Sequence, residues 1–276
     1  MRPRIVQTDD RPGFYWATEE GVPISLPELV LLDDEPERLV PTHLEALDDA
    51  LIDAAGRFGE LLGGGRAAGD DGERRGLHEL HRVLDRLNYE YAAGARVAEL
   101  PIAIRGGQII GTSALIAIRA RMALGIDGPA PLAGELTDPN ARVVSGRGQL
   151  QQVDHTQLWR GARWVVQSED GPRFPLTLSM LMFDSSGVNK DAALVEHREA
   201  LAAVTLASRD GDADPFVVAG ALDWLLYDWL MAHRESSESG AIEIRNDRGA
   251  DAEMIVWAAE AGAAARARID SRLLTV

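Results

Sequence analysis

The sequence predicts an α+β fold, in which antiparallel β-hairpins pack with about six helices around one central apolar helix; α/β is the alternative. Three observations predict it. Pro215 to His233 (PFVVAGALDWLLYDWLMAH) is apolar on nearly every face, and a helix hydrophobic all round belongs in a core. Two stretches, Leu44 to Leu61 and Leu77 to Tyr91, repeat apolar residues at three- and four-residue steps, as amphipathic helices do. Short β-prone runs bounded by turn residues lie at 14–26 and 164–183. The alternative rests on residues 97–125, which also read as strand, loop and helix.

Bulk composition narrows the function classes. A chain of 276 residues with 46% hydrophobic and 26% charged residues can bury a sizeable core, and we expect a single domain over 1–276. A flexible insertion is expected at 63–76 and a possible sub-domain boundary near 129–139, where proline, glycine and aspartate cluster. The absence of cysteine excludes disulfides, thiolate metal sites and cysteine nucleophiles. A net charge of −16 argues against direct nucleic-acid binding, which needs a basic face. Lys190 is the sole lysine, and the Ala, Gly, Asp and Arg usage suggests a GC-rich bacterial source. The N-terminus has no apolar signal region, and the Pro215–His233 run is short and acidic for a membrane span, so a soluble, cytoplasmic protein is expected.

Residues 1–32 read as strands. Phe14 to Thr18 is aromatic and β-prone, with Trp16 a core candidate, and Val22 to Leu26 returns as an edge strand because of Pro23 and Pro27. Thr42-His43-Leu44-Glu45 has the form of a capping box, followed by the stripe Leu44, Leu47, Leu51, Ala54, Phe58, Leu61. Between Glu28 and Glu60 stand ten acids against two arginines, with Asp48, Asp49 and Asp53 on one helix. Those three could approach a magnesium ion, or simply face water. The second helix carries Leu77, Leu80, Leu84, Leu87 and Tyr91, and pairs antiparallel with the first.

In the second half, Trp164–Gln167 and Phe174–Phe183 flank a turn-rich SEDGP and read as a hairpin whose second arm is a central strand. Asp191 to Ser208 is an amphipathic helix, Ala241 to Arg245 a short strand, and Ala250 to Ile269 an alanine-rich helix. Asp214-Pro215 caps and starts the central helix. Its Asp223 and Asp228 are the only charges in that apolar run, and each requires a partner, with arginine or tryptophan the expected donor.

The candidate chemistry falls into three groups. Gly106, Gly111 and Ser113 match the spacing of the phosphate loop GxxxxGK[ST], but Thr112 replaces the lysine that would meet the β- and γ-phosphates. A glycine turn without ligand explains the same residues. His78, His81 and Asp85 share one side of the second helix and are the candidate metal ligands; a solvated charged face is the plainer reading. Asp184, after an apolar strand, and His155, near a sheet end, are the candidate catalytic residues. Asp184 resembles the magnesium-side acid of nucleotide-binding proteins, yet an antiparallel neighbour is wrong for that arrangement, and Ser185, Ser186 or Asn189 would serve as helix caps.

These observations favour a non-catalytic protein-binding or assembly subunit of a larger complex, acting through a protein partner or self-association. The alternatives are a phosphate- or metal-dependent enzyme using 106–113, and an acidic nucleic-acid mimic using 28–60. No cofactor is specified.

Overall fold

The computed structural model describes residues 4–7, 14–18, 20–33, 35–64, 67–126, 142–143, 150–151, 164–167, 173–176, 178–183, 190–209, 213–244 and 250–273. Across these the protein is mostly helical with small, mainly antiparallel strands, so the strand content expected of an α+β or α/β fold is not reached. Backbone contacts divide the chain into two compact units. One comprises residues 1–126 with 244–264, the other 127–243 with 265–276.

The first unit opens on strands β1 (Arg4–Gln7), β2 (Phe14–Ala17) and β3 (Pro23–Ile24), paired antiparallel in that order. Trp16 on β2 is buried, as its aromatic character suggested. The run expected to continue as strand turns instead into helix α1 (Leu26–Leu32). Ser25 and Glu28 form a capping box there, and Pro27 sits in the first turn, where a missing N–H costs nothing.

Helix α2 (Pro36–Gly64) starts a turn and a half before the expected Thr42. Pro36 supplies the start, and Thr42 bonds back to the Arg38 carbonyl at 2.8 Å instead of capping. The stripe behaves as predicted at Leu47, Leu51, Ala54 and Leu61, all buried. Helix α3 (Asp71–Val97) likewise starts before the expected Leu77. Asp70 accepts from the Glu73 amide at 2.8 Å and the Glu73 carboxylate accepts from the Gly69 amide at 2.7 Å, a reciprocal cap that draws 71–76 into the helix. Leu77, Leu80, Leu84, Leu87 and Tyr91 are buried as predicted.

The largest correction lies at 97–113. No strand forms there. Helix α3 ends at Val97, with Glu99 in the left-handed region at φ 54° and the Leu100 amide bonded back to Ala95 at 2.9 Å. After Pro101 and Ile102 the chain enters helix α4 (Ile104–Leu124), which ends on Gly125 at φ 70°. The α/β reading required a loop where the first two turns of α4 stand. Helix α4 packs against α3 and α2, and the start of helix α8 (Ala250–Leu273) approaches it so closely that a Cβ on Gly107 would lie 2.5 Å from Ala252.

In the second unit, strands β4 (Arg142–Val143), β5 (Leu150–Gln151), β6 (Trp164–Gln167) and β7 (Arg173–Leu176) form a small sheet in the order β5-β4-β6-β7. The expected hairpin is β6–β7, antiparallel, while β4–β6 is parallel. Its second arm was expected to run as strand to Phe183, but Leu178–Phe183 is helix α5. Helix α6 (Lys190–Arg209) and helix α7 (Pro215–Glu235) follow. Residues 241–244 do not form the expected strand, although Ile242 and Ile244 are buried.

Helix α7 is the core element of its unit, packed on α5 and α6. By length and composition it could cross a bilayer, yet 67% of that apolar window is buried within the fold. Asp214 caps it through the Phe216 amide at 3.1 Å. Its apolar character is not all internal: Phe216 and Val217 in the first turn are exposed.

Candidate functional site

Of the residues singled out in the first half of the chain, Asp48, Asp49 and Asp53 lie on α2 and His78 is exposed on α3, while Asp85 of α3 and Arg121 of α4 form a largely buried polar seam. Two antiparallel helices joined by 98–103 bring it together. Packing near the linker end depends on glycine, since a Cβ on Gly106 would stand 2.4 Å from the Tyr91 hydroxyl. Burial pushes that phenol up to about 12, so it remains protonated and serves as packing.

About four turns along α4 from Gly106, Arg121 is only 3% exposed and its Nη1 lies 3.2 Å from Asp85 Oδ2 on α3. An arginine so placed requires a carboxylate, because an unpaired buried charge is far costlier than a paired one. His81, one turn before Asp85, points its Nδ1 toward the same carboxylate at 3.8 Å, beyond hydrogen-bond length. His78 faces His81 with ring centres 5.7 Å apart. Partial burial, and then the neighbouring positive charges of His81, Arg74 and Arg82, hold His78 below the ordinary histidine range. On the same two helices, Asn88 of α3 is 1% exposed and Ser113 of α4 is 0% exposed. Neither Asn88 Oδ1 nor Ser113 Oγ has a hydrogen-bond partner among the described residues.

This geometry revises the phosphate-loop reading of Gly106, Gly111 and Ser113. All three are buried within α4. A phosphate cradle needs several amides free to point at the ligand. Here the chain is helical, and already the Gly107 amide is spent on the Ala103 carbonyl at 3.1 Å. Gly106 packs against Tyr91 and its neighbour Gly107 against Ala252. For His78, His81 and Asp85, the helix does place them along one side, but Asp85 is the counter-ion of Arg121, and a cation there would have to compete with the guanidinium. No cluster of three potential metal ligands occurs among the described residues. His155 and Asp184 lie outside the described residues, as do Ser185, Ser186, Asn189 and the 129–139 loop.

Sequence reasoning missed Arg121 and Asn88. Each was visible as a polar residue inside an apolar run, IAIRARMAL and VLDRLNYEY, the same signal that singled out Asp223 and Asp228. It also missed His43. Read as part of a cap, His43 is instead fully buried: its Nδ1 accepts from the Trp16 indole at 3.0 Å and its Nε2 donates to the Leu87 carbonyl at 3.1 Å. Those partners define the Nε2-protonated neutral ring, and burial lowers its pKa to about 4.

The second unit holds its own buried polar groups around α7. Asp223 pairs with Arg266 in the last turns of α8 at 2.7 Å, an arginine as anticipated. Asp228 departs from that expectation. Its carboxylate accepts the Leu178 amide at 2.8 Å and the Ser179 amide at 3.3 Å, capping α5 from a neighbouring helix. His197 of α6 is fully buried with Nε2 2.8 Å from the Leu225 carbonyl, and it stacks on Trp229, which in turn contacts His233.

Both sets of buried polar residues are thus engaged mainly in fixing helices to one another. The outer face of α2 differs. Glu45, Asp49, Ile52, Gly56, Gly59 and Gly63 fall on one side of that helix at three- and four-residue steps, and every one is exposed. Ile52 is 68% exposed, and nothing among the described residues comes within 4 Å of a Cβ built on Gly56, Gly59 or Gly63. Comparison of the chain with protein-family models, with curated proteins and with solved structures gave no match.

Proposed function

We propose that the protein is a non-catalytic binding or assembly subunit that docks a partner helix on the outer face of α2. The observation that carries this reading is the row of uncovered glycines beside exposed Ile52. A glycine in a helix interior costs roughly 1 kcal/mol relative to alanine, and three on one face are a burden that tight packing by a partner would offset. Glycines also give a second helix backbone room to approach, while Ile52 offers an apolar anchor. Asp49, Asp53 and Glu60, all exposed around the row, favour a partner segment that is apolar on one side and basic on its flanks.

The test is direct. Light scattering after gel filtration reports self-association, and capture from the native host with wild-type protein and with Ile52→Arg/Gly59→Arg reports a second protein. The reading expects a dimer, or a bound protein, that the double variant loses and that weakens with added salt. A wild-type monomer that captures the same proteins as the variant counts against it. The acidic-mimic reading uses the same face and differs in outcome: its captured partner is a nucleic-acid-binding protein displaced by DNA or RNA, and neutralising Asp48, Asp49 and Asp53 abolishes the capture.

A further inference from the structure

We propose that the helix docking on the outer face of α2 is α3 of a second copy of this chain. This rests on the reading of α2 as a docking face and names what docks there. The outward side of α3 has the basic and apolar character that the α2 face calls for. Arg75, Arg82, Arg86 and Tyr89 stand on it at steps of seven, four and three residues, all exposed, with the acid Glu79 between them. Tyr89 is 42% exposed, and tyrosine and arginine are the side chains that most often anchor interfaces.

The two faces match position by position. Glu45, Asp49, Ile52 and Gly56 on α2 repeat at steps of four, three and four, and so do Arg82, Arg86, Tyr89 and Ala93 on α3. Laid parallel with that shift of 37 positions, each acid meets an arginine, Ile52 meets the Tyr89 ring, and Gly56 faces the small Ala93. The same shift lays α3 along α2 from Pro36 to Glu60, nearly end to end. Within one chain the two helices run antiparallel, with Phe58 against Gly76 and His43 bonded to the Leu87 carbonyl. A two-fold axis across this hairpin turns α3 of one copy parallel to α2 of the other, so the contact repeats on both sides of the axis. Two α2 faces laid parallel would instead oppose acid to acid. Exposed ion pairs add little strength; they fix register and partner, while Ile52, Tyr89 and the glycines supply the close approach.

The chain has no cysteine, so introduced cysteines report this contact cleanly. Ile52→Cys mixed with Tyr89→Cys should give a disulfide-linked dimer under mild oxidation, faster than either variant with itself. In low salt, light scattering after gel filtration should show a wild-type dimer that Glu45→Arg/Asp49→Arg and Arg82→Glu/Arg86→Glu each reduce to monomer. An equimolar mixture of those two variants should recover the dimer, because one contact is then native and the other has both charges exchanged. A wild-type monomer overturns the proposal; if that monomer captures a protein that Ile52→Arg/Gly59→Arg loses, α2 is still a docking face, for a different occupant. A dimer broken by the α2 substitutions and kept by the α3 ones overturns it too, as does Ile52→Cys linking to itself as fast as to Tyr89→Cys. Arg86 also lies near Glu90 in its own chain, so if Arg82→Glu/Arg86→Glu fails to fold, the cysteine pair and Arg82→Glu alone decide.

Discussion

Asp223 Oδ1 on α7 lies 2.7 Å from Arg266 Nη1 on α8, and both side chains are largely shielded from water. Breaking such a pair from one side leaves a largely buried carboxylate without this guanidinium, so Arg266→Met should cost about 3 kcal/mol in urea unfolding. Removing both charges, as Asp223→Leu with Arg266→Met, should recover much of that loss. A double variant no better than the worse single one would show that the site depends on the charges themselves.

Asp228 works through backbone amides, which makes its effect local. Asp228→Ala should destabilise by about 2 kcal/mol, the upper range for loss of a helix cap. Hydrogen exchange at Leu178 and Ser179 should accelerate more than exchange in α6. Equal acceleration throughout the unit would mean that the carboxylate does not hold α5.

His43 makes stability depend on pH. Its ordinary value is 6.5 and its folded value is lowered to about 4, so between these the unfolded chain binds the additional proton. The stability is present above pH 6.5, falls as the pH drops toward 4, and has no further contribution from His43 below that. The full effect is about 3 kcal/mol at roughly 1.4 kcal/mol per pH unit. Denaturation at a series of pH values, with His43→Phe as the control that flattens this window, measures it. Glu90 has the opposite sign. Burial raises its pKa despite nearby Arg86, so its stabilising contribution is complete below about pH 4.5 and is lost as the pH rises through the folded value. Glu90→Gln should therefore be more stable than wild type at neutral pH, and no gain there would show that the carboxylate is adequately solvated.

Glu99 occupies left-handed backbone at φ 54°, a conformation that costs a side-chain-bearing residue about 1 kcal/mol. Glu99→Gly should raise stability by about that amount, because the turn after α3 keeps its backbone bonds. A loss instead would assign Glu99 a side-chain contact that outweighs the strain.

How far the fold was legible follows from the range of the forces at each position. The α3 stripe was readable because burying Leu77, Leu84 and Leu87 on one face requires only helical periodicity, and the α7 core was readable from its lack of polar residues. The 106–113 segment was not. Two glycines, two isoleucines and another glycine favour neither helix nor strand strongly, and what decides is remote: Tyr91 and Ala252 occupy the space where side chains would stand. Short apolar runs in 174–183 failed for a related reason, since the carboxylate that turns Leu178–Phe183 into a helix comes from Asp228, about fifty residues away. At the seam, Asp85 was visible as a polar residue, whereas its pairing with Arg121 depended on a helix that local propensity did not announce.

The approach of Ala252 to Gly107 and the Arg96–Glu260 ion pair both join segments made far apart in time during biosynthesis. Residues 1–126 leave the ribosome long before residues 244–264, which belong to the same compact unit. Until the C-terminal helix emerges, the nascent first unit presents the bare glycine surface of α4 and an Arg96 without its carboxylate. The packing of residues 1–126 is therefore complete only once residues 244–264 have been translated.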